Sequence, residues 1–196
     1  MRFALALCAT LLASLPAAAQ AKDFDLGYAR TGMMLGQFRF AAWPAGLSVR
    51  CSDDPDRPKE LDRLLAMPRQ MADLGAVRCA LLKQDDAGKF SPATRKIGGF
   101  PVEVAATFAP DQAGTKRLVQ LFLQGPRDGF DGLVAHFTSR LGKPVESGDR
   151  FSRWADTAAG AEALVLHEEG DTSLAMLIAL RMQEAMNAKM QTRKQP

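Results

Sequence analysis

The chain has 196 residues, 47% of them hydrophobic and 24% charged, with a formal net charge of +3. That composition excludes a disordered or collagen-like chain, and a basic nucleic-acid-binding domain, which would cluster Lys and Arg on one face. Two histidines and three cysteines leave little room for His-based metal or acid–base chemistry.

Met1-Arg2 forms a short positive start, followed by the nearly uncharged apolar run Phe3–Leu15. This run is too short to cross about 30 Å of hydrocarbon, which needs about 20 helical residues. Small residues follow, and both Ala17/Ala19 and Ala19/Ala21 fit an A-x-A cleavage site. The expectation is a signal peptide over residues 1–21, cleaved after Ala19 or Ala21, and an exported mature chain of about 175 residues. Cys8 leaves with that segment, and Leu7 before it does not suit a lipoprotein signal. The periplasm of a bacterial envelope is the expected address.

Export governs how the remaining cysteines are read. Cys51 and Cys79 are an even pair in an oxidising compartment, so a structural disulfide is expected. Its chain-entropy value for such a loop is about 3.5 kcal/mol. The spacing is far wider than the Cys-x-x-Cys of a redox pair, and two cysteines without nearby histidines make a poor zinc site.

In chain order, Thr31–Phe40 reads as a short helix ended by Trp43-Pro44-Ala45-Gly46, and Leu47–Cys51 as a strand. The acidic segment Ser52-Asp53-Asp54-Pro55-Asp56 is a loop, a solvated one rather than an EF-hand. Lys59–Leu74 is helical with Pro68 kinking or splitting it, and Ala76–Leu82 is a strand carrying Cys79. The polar segment 84–99 reads as a linker between an N-terminal half, 22–83, and a C-terminal half, 100–181.

The second half opens on alternation at Val102, Val104, Ala106 and Phe108, then Val119, Leu121 and Leu123, a hairpin with a turn at Pro110–Gly114. Phe130, Leu133, Val134, Phe137 and Leu141 follow helical spacing, with Asp128 before them and Gly142 and Pro144 after. Strands are expected at Arg150–Asp156, Ala163–Glu168 and Ser173–Arg181, and a basic helical or frayed tail over 182–196. The fold class is therefore α+β, an antiparallel sheet with helices packed on one face. The two halves are candidates for diverged copies, although no residue-level repeat joins them.

Gly32-Met33-Met34-Leu35-Gly36-Gln37-Phe38 and Phe130–Pro144, with Trp154 beyond, resemble the helix–LGxP–strand–Trp pattern of small bacterial envelope proteins of the BamE/SmpA/OmlA type. The related β-lactamase-inhibitor-like fold packs helices on an antiparallel sheet. The resemblance implies a non-enzymatic module that holds partner proteins at the envelope, and it carries over no site residues.

Motifs for chemistry are absent. There is no G-x-S-x-G elbow, and Gly114-Thr115-Lys116 lacks the order of a P-loop. His167-Glu168-Glu169 starts like a zinc-protease helix, but Asp171 stands where the second histidine belongs. His136 lies about 120° from the centre of its helix's apolar stripe and reads as a rim histidine. Met182, Met186 and Met190 recur at i+4 in the tail, as a soft apolar stripe for docking on the body or a partner, or as a thioether set for Cu(I). Arg181, Lys189, Arg193 and Lys194 against Glu184 concentrate the basic excess in the same tail, suiting weak contact with an anionic membrane surface.

The functional expectation is a periplasmic non-catalytic protein, with no cofactor and no nucleic-acid partner, that contacts another envelope protein. The alternative is a small-ligand-binding or hydrolytic protein whose site is not legible in the sequence.

Overall fold

The computed structural model describes residues 24–168 and 170–192. The apolar run Phe3–Leu15, the cleavage positions at Ala19 and Ala21, and Arg193 and Lys194 of the tail lie outside them.

The elements in chain order are α1 (Leu35–Arg39), β1 (Leu47–Cys51), α2 (Leu61–Leu64), α3 (Arg69–Asp73), β2 (Val77–Gln84), β3 (Phe90–Pro92), β4 (Thr94–Ile97), β5 (Phe100–Pro110), β6 (Lys116–Pro126), α4 (Phe130–Leu141), β7 (Glu146–Gly148), β8 (Phe151–Asp156), β9 (Ala161–His167), β10 (Thr172–Ala179) and α5 (Leu180–Thr192). Pro68 splits the expected helix over 59–74 into α2 and α3, because proline removes an amide donor and clashes with the preceding turn.

The strands form one antiparallel ten-stranded sheet in the order β1-β2-β5-β6-β10-β9-β8-β7. The segment 84–99 is not a linker. Its β3 pairs with the end of β2 through Leu82↔Pro92, and its β4 pairs with the start of β5 through Arg95↔Val102. The two short strands fill the wedge that opens where β2 and β5 diverge beyond Ala80↔Ala105. Ala93, between them, donates its N–H to the Leu81 carbonyl at 3.0 Å, so the wedge closes with its backbone paired.

One register row crosses the inner face: Cys51↔Cys79↔Ala106↔Leu121↔Leu177↔Ala163↔Trp154. All of these side chains are buried. The disulfide Cys51–Cys79 therefore joins directly opposed residues on neighbouring strands, with Cα atoms 4.0 Å apart. Phe24, Leu26, Tyr28, Phe38 of α1, and Phe130, Leu133 and Phe137 of α4 cover this face.

Helices also cover the outer face, contrary to the one-face expectation. Leu61, Leu64 and Leu65 cover Ala80, Leu82 and Phe90. At the far end Met71 and Leu74 of the α3 region and Met182, Met186 and Met190 of α5 cover Ala76, Ala109 and Val119. A bulge in β6 opposite Thr107/Phe108 sets this up. It turns Leu118 to the inner core and Val119 to the outer one, so consecutive residues are both buried.

Both inner-face helices end under an indole. Trp43 Nε1 donates to the Phe38 carbonyl at the end of α1, and Trp154 Nε1 donates to the Gly142 carbonyl at the end of α4, each at 2.8 Å. Helix ends leave carbonyls without intrahelical donors, and a buried Trp N–H needs an acceptor.

Candidate functional site

Between α1 and α4 on the inner face lies a seam. Tyr28 enters it from the segment before α1 and is buried. Its ring centroid lies 6.2 Å from Trp43 and 6.2 Å from His136 of α4, with the imidazole stacked at 22°. Arg95 of β4, opposite inner-facing Val102 in register, brings its guanidinium carbon 4.5 Å from the Tyr28 ring centroid and 5.5 Å from that of Trp43. Arg140, one turn beyond His136, packs against Gly27, where a Cβ would stand 3.4 Å from the guanidinium. Tyr28, Arg95, His136 and Arg140 thus meet from three separate parts of the chain.

The polar edges of this cluster are unmet. The Tyr28 hydroxyl, Arg95 Nη1 and His136 Nε2 are buried and have no hydrogen-bond partner. Among the described residues neither Arg95 nor Arg140 makes an ion pair. Burial pushes the Tyr28 hydroxyl far above the ordinary tyrosine range, against the opposing pull of Arg95 and Arg140. Burial first, then the charges of Arg140 and Arg95, hold the His136 imidazole below its ordinary value. Chemically the seam is a set of N–H and O–H groups with aromatic walls and excess positive charge.

On the opposite side of the sheet a second feature stands out. Phe122, Met176 and Leu164 lie side by side on β6, β10 and β9, and Leu174, Leu166 and Phe151 form the next row. These side chains are only partly covered, with Phe151 37% exposed, and none belongs to a core cluster. A cleft running from Leu64 of α2 past Ala105 to Phe122 and Leu174 extends the patch. Arg78, whose guanidinium lies 5.5 Å over the Phe122 ring, and the pair Arg153–Glu162 at 3.4 Å provide polar groups around it.

The residues singled out in the sequence fall elsewhere. Cys51 and Cys79 are bridged. Met182, Met186 and Met190 do share one face of α5, but that face lies on the body, and Met186 is buried against Ala76, Ala109 and Val119. The body thus takes up Met186, while Met182 and Met190 stay half-buried beside it. Asp53 and Asp54 are not simply solvated. Asp54 accepts from Arg39 at 2.7 Å and from the Cys51 N–H at 3.0 Å, and Asp53 accepts from Lys116 at 2.6 Å. Asp53, Asp54 and the Cys51 sulfur come together with metal-like spacing, yet the sulfur is bonded to Cys79 and the carboxylates are matched by Arg39 and Lys116. His167 ends β9, stacked on Phe130 at 4.3 Å, with Nδ1 3.4 Å from Ser173 Oγ. That hydroxyl is fully buried and donates to the Arg127 carbonyl at 3.1 Å.

His136 is half-buried in the seam rather than on a solvated rim. The helical stripe could not reveal this, because Tyr28 and Arg95 cover the flank of α4 from outside the helix. The only sequence signal was that Tyr28 is the chain's single tyrosine. No protein-family model, curated protein or solved structure matches this chain.

Proposed function

We propose that the protein is an exported, non-catalytic component of the bacterial envelope that docks another protein on the open outer face of β6, β8, β9 and β10. The observation that carries this reading is the patch Phe122–Met176–Leu164 with Leu174, Leu166 and Phe151, set on rigid strands and partly ringed by polar groups. Contiguous, partly exposed apolar surface with a polar rim is a mark of an interaction site. Export is supported by the signal-like start of the sequence and by a disulfide suited to an oxidising compartment. The helix–LGxP–strand–Trp resemblance supports the same kind of role.

Photo-crosslinking side chains at Leu164 and Met176, expressed in the native cell, test the docking face. Discrete adducts with a protein are expected from both positions and none from exposed Asp149. Equal adducts from all three positions, or none from the patch, overturn the reading. N-terminal sequencing of the exported chain, expected to begin at Gln20 or Lys22, tests the address.

A further inference from the structure

We propose that the seam between α1 and α4 binds a small oxyanion, the carboxylate or phosphate group of a soluble ligand, through Tyr28, Arg95, His136 and Arg140. This site lies on the other side of the sheet from the docking face and does not depend on it.

The donor set requires an acceptor. A buried hydroxyl or N–H without a partner costs the full desolvation of that group, and native proteins keep few of them. Here the Tyr28 hydroxyl, Arg95 Nη1 and His136 Nε2 occur together. Arg95 and Arg140 add two positive charges, and among the described residues no carboxylate pairs with either. A guanidinium only donates, a tyrosine hydroxyl can donate its one proton, and a neutral imidazole with its proton on Nε2 donates as well. A neutral ligand or a water would meet the hydrogen bonds but leave the charge, whereas an oxyanion meets both.

The surroundings hold the donors ready. Arg95 lies over Tyr28 and beside Trp43, which restricts the guanidinium plane and leaves its N–H edge free. Trp43 is itself fixed by its bond to Phe38. His136 is stacked on Tyr28. Pre-ordered donors lose little entropy when a ligand arrives. The burial and neighbouring charges that depress His136 have a further consequence: an anion bound beside it restores the imidazole toward its ordinary value.

Side-chain NMR of the full chain tests the site, because it has one tyrosine and two histidines to follow. Inorganic phosphate and acetate are titrated separately at constant ionic strength, up to about 50 mM. Saturable shifts of His136 and Tyr28 are expected, with His167 unmoved and the His136 titration displaced upward. The arm that saturates at lower concentration assigns the group, phosphate or carboxylate. Arg140→Gln, a change at an exposed side chain, should weaken binding about tenfold, the scale of one charge-assisted bond. Tyr28→Phe should weaken it less and leave the fold intact. The proposal is overturned if neither anion gives a saturable His136 shift, if His167 moves in parallel, or if Arg140→Gln binds as tightly as the parent.

Discussion

His136 sits where three physical effects act on one imidazole. It is half-buried, it stacks on Tyr28, and it faces the guanidinium groups of Arg140 and Arg95. Burial first, and then the two guanidinium charges, disfavour the protonated ring, so its folded pKa lies below the unfolded value of about 6.5. The unfolded chain then binds the proton more readily than the folded one. Stability is full above the ordinary imidazole range and falls as pH drops through the depressed value. His136→Gln should flatten this part of the slope. Urea midpoints of parent and variant between pH 7.5 and 5 check it: the parent should lose more stability on acidification than the variant. Equal losses would mean that the ring is solvated, as its position 120° off the apolar stripe suggests on its own. Nothing in the helical pattern gives the burial of His136, because the covering groups are supplied by residues 28 and 95, far away in sequence.

The helix that carries His136 is the element most legible in the sequence. Its expected and observed limits coincide, Phe130–Leu141, since helical periodicity and the Gly142/Pro144 stop agree. Phe137 is fully buried against Trp154, with ring centroids 5.6 Å apart. Phe137→Ala should cost about 3–5 kcal/mol in urea unfolding, the transfer and cavity terms together. What periodicity could not foresee is how closely α4 approaches the sheet. Gly132 of α4 faces Gly98 of the β4–β5 turn backbone to backbone. A Cβ on Gly132 would stand 2.3 Å from the Gly98 carbonyl and 2.8 Å from the Phe100 ring. Glycine inside a helix is normally a weakness, and Gly→Ala there should gain about 1 kcal/mol by propensity. Here the close approach reverses the sign: Gly132→Ala should destabilise by about 1–3 kcal/mol, the range for overpacking. A gain in its urea midpoint would mean that the helix stands further off. The missed strands fail for a related reason. All three are short: β3 and β4 are held by wedging and the exposed β7 by edge pairing, rather than by alternation.

Across the whole molecule, the sequence makes the α+β class and the disulfide legible and misplaces the division into halves. Residues 84–99 look like a linker because they are polar with glycine and proline, yet as β3 and β4 they plug the gap between β2 and β5. Local composition reports solvent exposure, and it cannot report a gap opened by two longer strands elsewhere in the chain. The consequence is continuity: the row from Cys51 to Trp154 runs through the sheet without a break, and the same inner core receives side chains from α1 and from α4. A continuous sheet and core predict a single cooperative unfolding transition, as expected when no independent core exists on either side. The disulfide sits near one edge of that sheet, between β1 and β2, closing residues separated by 28 in sequence. It restrains the unfolded chain more than it holds the centre of the fold. Cys51→Ser/Cys79→Ser should therefore lower stability by about 3.5 kcal/mol on chain entropy, while the transition stays single and its denaturant slope rises as the unfolded chain expands. Parallel urea titrations followed by tryptophan fluorescence and far-UV circular dichroism decide this, because Trp43 lies in the first half and Trp154 in the second. Coincident curves in both proteins are expected. If the variant melts in two steps, with the two probes separating, the halves hold together through the bridge rather than through the sheet, and the chain behaves as the two units that its composition suggests.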